Sequence, residues 1–155
     1  MLTQRRLSVG GWVVLGMVTM SLSCGSKTPN TGRDDGLLAK SLGRFQGTMP
    51  CTDCAGIRVE LQLFAEAGHN DGTFELSETS LRTKDGDRSQ SMTGNWILER
   101  GIEGDAAAAV YRLNPGDPSE QRFYLKVSDD TLELLDASRQ RIVSKLNYAL
   151  KRVAP

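Results

Sequence analysis

"IRVELQLFA", residues 57–65, is the stretch on which the fold turns. Ile57, Val59, Leu61, Leu63 and Ala65 fall on one face, and Arg58, Glu60 and Gln62 on the other. Strict alternation of this kind is the mark of a β-strand with one buried side. Outward from it the same period returns in Phe74 and Leu76; in Met92, Gly94, Trp96 and Leu98; and in Tyr111 and Leu113. It continues through Phe123, Leu125 and Val127, then Leu132 and Leu134, and finally Leu146, Tyr148 and Leu150.

Turn-forming residues separate these runs. "GHNDG" holds Asn70-Asp71-Gly72, a hairpin cue, and "KDGD", "NPGDP" and "SDD" mark three further reversals. With "GRFQG" as the first strand the count is about eight. The reading is therefore all-β: a small antiparallel barrel, since closure removes exposed sheet edges. Two stretches depart from the pattern. "LLAKSL", before the barrel, has some amphipathic helical character, and "GIEGDAAAA" contains an alanine run of weak strand propensity, so residues 101–106 read as a long loop.

Upstream, the chain opens with Arg5 and Arg6, then a mostly apolar, uncharged run, then small and polar residues ending at Cys24. This is the pattern of a secretory signal over residues 1–23. The run is short for a bilayer crossing and is diluted by glycine, serine and threonine. Ser21-Leu22-Ser23-Cys24 resembles the lipobox at which bacterial lipoproteins are cut and acylated, with Ser21 where a large aliphatic residue is usual. Cys24 is thus the expected lipidation site, and residues 24–41, which include "GSKTPNTGRDDG", form a flexible tether. Gly25, rather than aspartate, follows the cysteine, which points to the outer membrane and a barrel facing the periplasm.

Without the signal the chain carries 17 basic and 19 acidic residues. That near balance excludes a nucleic-acid partner, which needs a basic stripe. Residues 42–155 suffice for one domain with its own core. Of three cysteines, acylation of Cys24 leaves Cys51 and Cys54 as an isolated pair in an oxidising envelope.

"GRFQGTMPCTDCAGIRVELQL", residues 43–63, resembles the opening of the N-terminal domain of the NlpE copper-resistance lipoproteins: Gly-x-aromatic-x-Gly, then Pro-Cys-x-x-Cys-x-Gly-Ile and an alternating strand. "LELLDASRQRIVSKLNYAL" is similar to that family's closing Leu-Asp loop and Leu-Asn-Tyr strand, and "GNW" matches the Gly-x-Trp between them. The resemblance implies a distorted, lipocalin-like barrel over residues 42–155, on an envelope lipoprotein associated with copper tolerance and envelope-stress signalling. Thr52, Val59 and the absence of a glycine after Asp136 depart from the family pattern. The sequence ends at Pro155, before the OB-like second domain of the best-known members, so a signalling role that needs that domain is not expected.

Four chemistries compete for Cys51 and Cys54. Structural zinc needs four ligands, and the chain offers only two thiols and His69 in a turn. Thioredoxin-type exchange needs a thiol at a helix N-terminus, whereas Gly56 leads straight into a strand. A structural disulfide suits the compartment and contributes about 2 kcal/mol for so short a loop. A soft-metal site is the fourth: two thiolates three residues apart both reach one Cu(I), with Met49 as a thioether donor. Disulfide and copper site would then be two states of one device.

The remaining features take structural readings: His69 as a solvated turn residue, Met92 as core, and Asp85-Gly86-Asp87 as a turn. Nucleophile elbows and phosphate loops are missing, which argues against an enzyme. The first functional reading is an envelope lipoprotein that senses or buffers copper and thiol redox state, with a membrane-located stress-signalling protein as its partner. The second is a binding module whose interior, lined by Trp96, Phe74 and Tyr148, takes a lipid or other apolar ligand above a purely structural disulfide.

Overall fold

A computed structural model describes residues 39–154; the signal, Cys24 and most of the tether lie outside them. The described chain is all strand. The strands are β1 (Lys40–Met49), β2 (Gly56–Ala65), β3 (Asp71–Thr83), β4 (Gly86–Ile102), β5 (Asp105–Leu113), β6 (Arg122–Ser128), β7 (Thr131–Leu134) and β8 (Ala149–Val153). Each pairs antiparallel with the next, and β8 returns to β1 through Arg44↔Val153, Phe45↔Arg152 and Gln46↔Lys151, closing the barrel. In this up-and-down order the β1–β2, β3–β4, β5–β6 and β7–β8 connections share one end of the barrel.

The alternation of residues 57–65 is realised in β2, where Val59, Leu61, Leu63 and Ala65 are buried and point inward. Phe45, Phe74, Leu76, Trp96, Leu113, Tyr124, Leu132 and Leu150 complete the interior. Burial pushes the Tyr124 phenol well above its ordinary range. Trp96 is held by two hydrogen bonds: its indole N–H is 3.0 Å from both the Phe64 and the Thr73 carbonyls, so the largest core side chain leaves no polar atom unmet.

A second apolar cluster lies on the opposite face of β5 and β6. Ala108, Val110, Phe123 and Leu125 pack there under Leu135, at the start of the β7–β8 connection. Phe123 and Leu125 alternate as expected, yet the face they share belongs to this outer cluster. Tyr124, between them, enters the barrel. A three-residue run buried on both sides carries no period that distinguishes the two. Arg139 locks the connection down: its guanidinium forms an ion pair with Glu99 at 3.0 Å, where the Arg112 side chain donates a hydrogen bond at 3.0 Å, and it donates to the Gly101 carbonyl at 2.9 Å.

Three local expectations are corrected. The "LLAKSL" stretch is strand from Lys40 onward, so the described part of the expected helix belongs to β1, recruited by pairing of Lys40 and Ser41 with Ala65 and Phe64. Residues 101–106 form a tight hairpin, with Ile102↔Asp105 paired around Glu103-Gly104. Gly101 and Gly104 supply the positive φ values, 87° and 80°, and the Asp105 carboxylate accepts from the N–H groups of Ala107 and Ala108. Tertiary pairing overrides the poor strand propensity of the alanines. Leu146 does not join the last strand. It is exposed, and β8 starts at Ala149.

Candidate functional site

The site is the β1–β2 connection. Inward alternation along β1 places Phe45 and Met49 in the core. Pro50 then has no N–H with which to continue the ladder, and the chain turns through Cys51-Thr52-Asp53-Cys54. Gly56 brings it back into β2. A β-carbon there would lie 2.8 Å from Thr48 Cγ2 and 3.3 Å from the Met49 carbonyl oxygen, so the close crossing excludes a side chain. The connection is tied to its neighbour by the Ala55 N–H, which donates to the Leu81 carbonyl at 2.8 Å.

Cys51 and Cys54 are joined as a disulfide, with Cα atoms 5.4 Å apart. Both are half-buried, whereas Thr52 and Asp53 between them are exposed. The pair lines an open cleft of about 670 Å³ with Ile57 and the β3–β4 hairpin tip, including Thr83, Lys84 and Asp85. Sequence reading does not anticipate these hairpin residues. Only the β2–β3 and β3–β4 registers carry a tip some thirty positions downstream beside the sulfurs.

Met49 goes elsewhere. Its side chain is 6% exposed, within the main core, and does not line the cleft, because position 49 follows the inward alternation. The two sulfurs are brought together without the thioether. His69 is exposed at the β2–β3 turn, 3.7 Å from Glu66 and 3.6 Å from Asp71. Among the described residues no group of three or more His, Cys, Asp or Glu side chains is placed to hold a metal ion.

What the arrangement can do follows from its surroundings. The Cys54 sulfur lies 3.3 Å from the Gly56 carbonyl oxygen. No helix occurs among the described residues, so neither sulfur sits at a helix N-terminus there. Joined, the pair closes the β1–β2 connection as a short covalent staple.

A second element holds this barrel end. β8 pairs with β1 only as far as Gln46. Beyond it Asn147 takes over: its side-chain amide donates to the Thr48 and Ala149 carbonyls at 3.0 and 3.1 Å, and its oxygen accepts from the Ala149 N–H at 3.2 Å. The Leu-Asn-Tyr motif is therefore a side-chain clasp on the strand that delivers Cys51.

Comparison with known proteins agrees with this geometry. Lipoprotein NlpE of Escherichia coli (strain K12) is 31% identical over 107 residues, covering 69% of this chain and 39% of the relative. The chain thus matches well under half the length of that relative. No solved structure matches. The family model for the NlpE N-terminal domain matches residues 45–145, from within β1 through β7 into the connection that follows it and including the cysteine pair, and the chain belongs to the NlpE N-terminal domain family.

Proposed function

We propose that the protein is a non-enzymatic lipoprotein of the bacterial envelope, anchored through acyl chains on Cys24 in the outer membrane and facing the periplasm. Its Cys51–Cys54 pair buffers or senses copper and thiol redox state, and a membrane-located stress-signalling protein reads the result. The observation that carries this reading is the adjacency of two half-buried sulfurs in a solvent-facing cleft at one barrel end.

The oxidised pair is the resting staple. An envelope dithiol reduces it: two electrons and two protons pass to the pair, the sulfur–sulfur bond breaks, and the donor becomes a disulfide. The two thiols then lose their protons as Cu(I) binds between the sulfurs, a soft ion suited to thiolate ligands. Met49 is committed to the core, so the cysteines act without it.

A Cu(I) titration of the reduced full chain against a chromophoric chelator tests this. The wild type is expected to withdraw one equivalent of Cu(I), and the Cys51→Ser/Cys54→Ser variant none. Equal affinity in both ends the copper reading.

The alternative, a lipid or small apolar ligand inside the barrel, has less support. Trp96 and Phe74, each 1% exposed, and Tyr124 fill the interior as packing, and Tyr148 is outside both apolar clusters. Native mass spectrometry of protein purified from its host distinguishes the readings: a retained lipid favours the alternative.

A further inference from the structure

Strand β4 is the longest in the barrel, and half of it has a neighbour on one side only. It pairs with β3 without interruption from Asp71↔Ile97 to Ser80↔Arg88, but with β5 only from Trp96↔Leu113 onward. Two backbone bonds set the sense of the exposed half. The Asn114 N–H donates to the Asn95 carbonyl at 2.8 Å from the β5 side, and the Leu98 N–H donates to the Asn70 carbonyl at 2.7 Å from the β3 side. Antiparallel strands turn alternate residues to alternate neighbours. Ser89, Ser91 and Thr93 therefore aim three N–H and three C=O groups away from the sheet. Among the described residues these six groups have no hydrogen-bond partner.

Proteins blunt such edges with proline, bulges or charge. Residues 88–94 contain no proline and no register shift, and their one charge, Arg88, is engaged by Asp85 at 2.7 Å. The edge is walled. A cleft of about 290 Å³ runs between Gln90, Ser91 and Met92 on one side and Glu120 and Arg122 on the other, with Leu76 and Glu78 also lining it. A second cleft of about 330 Å³ lies between Gly94 and Asn95 and the loop holding Asn114 and Asp117.

We propose that this edge binds an extended segment of a partner polypeptide by strand addition, using the backbone of Ser89, Ser91 and Thr93. Every second side chain of such a segment would face Leu76 and Met92, with Glu78 and Glu120 close by, and Asp117 borders the other cleft. Arg122 is the one basic side chain lining the first cleft beside Glu78 and Glu120, and none lines the second beside Asp117. The fitting partner is a segment alternating apolar and basic residues.

The test uses the full chain and the synthetic peptide acetyl-KLKVKLK-amide, followed by fluorescence anisotropy. Binding is expected to weaken at least tenfold when alternate peptide amides are N-methylated, and at least tenfold for the acidic peptide ELEVELE. Ser91→Pro should keep the circular dichroism spectrum and melting curve of the wild type, because its N–H faces outward, yet bind at least tenfold more weakly. Independently of any variant, the peptide should slow amide exchange at Ser89, Ser91 and Thr93 while leaving Arg88, Gln90 and Met92 unchanged. Equal binding by the N-methylated peptide, protection without this alternation, or unfolding by Ser91→Pro would each overturn the proposal. So would a dimer of the chain alone, seen by sedimentation velocity and abolished by Ser91→Pro, because the edge would then belong to a second copy.

Discussion

Gly72 and Trp96 face each other across the β3–β4 ladder, and the glycine is what lets the indole lie there. A β-carbon at position 72 would fall 1.9 Å from the Phe64 carbonyl oxygen and 3.0 Å from Trp96 Cε2. Phe64 is also the acceptor that holds the indole N–H. Gly72→Ala must displace backbone or indole and disturb the Trp96 hydrogen bonds. We expect a loss of about 2–4 kcal/mol, from overpacking together with a weakened buried hydrogen bond. Urea denaturation followed by Trp fluorescence measures it, and a midpoint within error of wild type would show that the site has slack.

Removing the disulfide should be mild by comparison. The closed loop is four residues long, for which chain entropy gives about 2 kcal/mol, and the barrel closes through strand pairing that does not involve the bond. The Cys51→Ser/Cys54→Ser variant is expected to melt cooperatively at a modestly lower temperature, matching reduced wild type. Loss of cooperative melting would mean that the bond is required for folding.

The Asn147 clasp gives a local effect. Asn147→Ala removes three hydrogen bonds at an exposed position, so the global cost should be only about 1 kcal/mol. The more telling readout is hydrogen exchange, where faster exchange is expected at Thr48 and Ala149 and none of the change at the β4–β5 hairpin.

Glu99 accepts a hydrogen bond from Arg112 and forms an ion pair with Arg139, and both guanidiniums sit over the Phe123 ring, at 5.9 Å for Arg112 and 6.0 Å for Arg139. Side chains of this cluster are only partly exposed, 22% for Glu99 and 28% for Arg112. Glu99→Gln should therefore cost about 1–3 kcal/mol. A double-mutant cycle with Arg139→Gln should show a coupling of at least about 0.5 kcal/mol. Strict additivity would mean that Arg139 does not hold the β7–β8 connection through Glu99.

For pH dependence the informative carboxylate is Glu60. A hydrogen bond from the Arg44 side chain holds its pKa below the ordinary carboxylate value. A depressed folded-state pKa contributes stability above the unfolded value, about 4.3 for glutamate, and that contribution is lost as pH falls through the folded pKa. NMR titration of the Glu60 side chain should show the depression in wild type and its relief in Arg44→Met. An unchanged titration would place the cause elsewhere.

Strand number and the inward face of β2 were legible in the sequence because a sheet with one wet side needs alternation, and residues 57–65 show it without a break. The cysteine pair was legible for a similar reason: two residues three positions apart are close in any turn. Position 49 shows where local reading stops. Beside Pro50 and Cys51 in the chain, Met49 looked like a third donor, yet strand alternation turns it into the core. The 101–106 segment failed differently, since alanine's weak preference yields to a neighbouring strand that needs a partner.

Composition and period alone therefore determined an all-β chain of about eight strands with two adjacent thiols, because both follow from contacts within a few residues. Only the tertiary structure decided that the β3–β4 tip lines the cysteine cleft, that Phe123 and Leu125 belong to an outer cluster, and that half of β4 has an open edge. Those relations depend on strand register, which joins residues ten to a hundred positions apart through hydrogen bonds that no local pattern encodes.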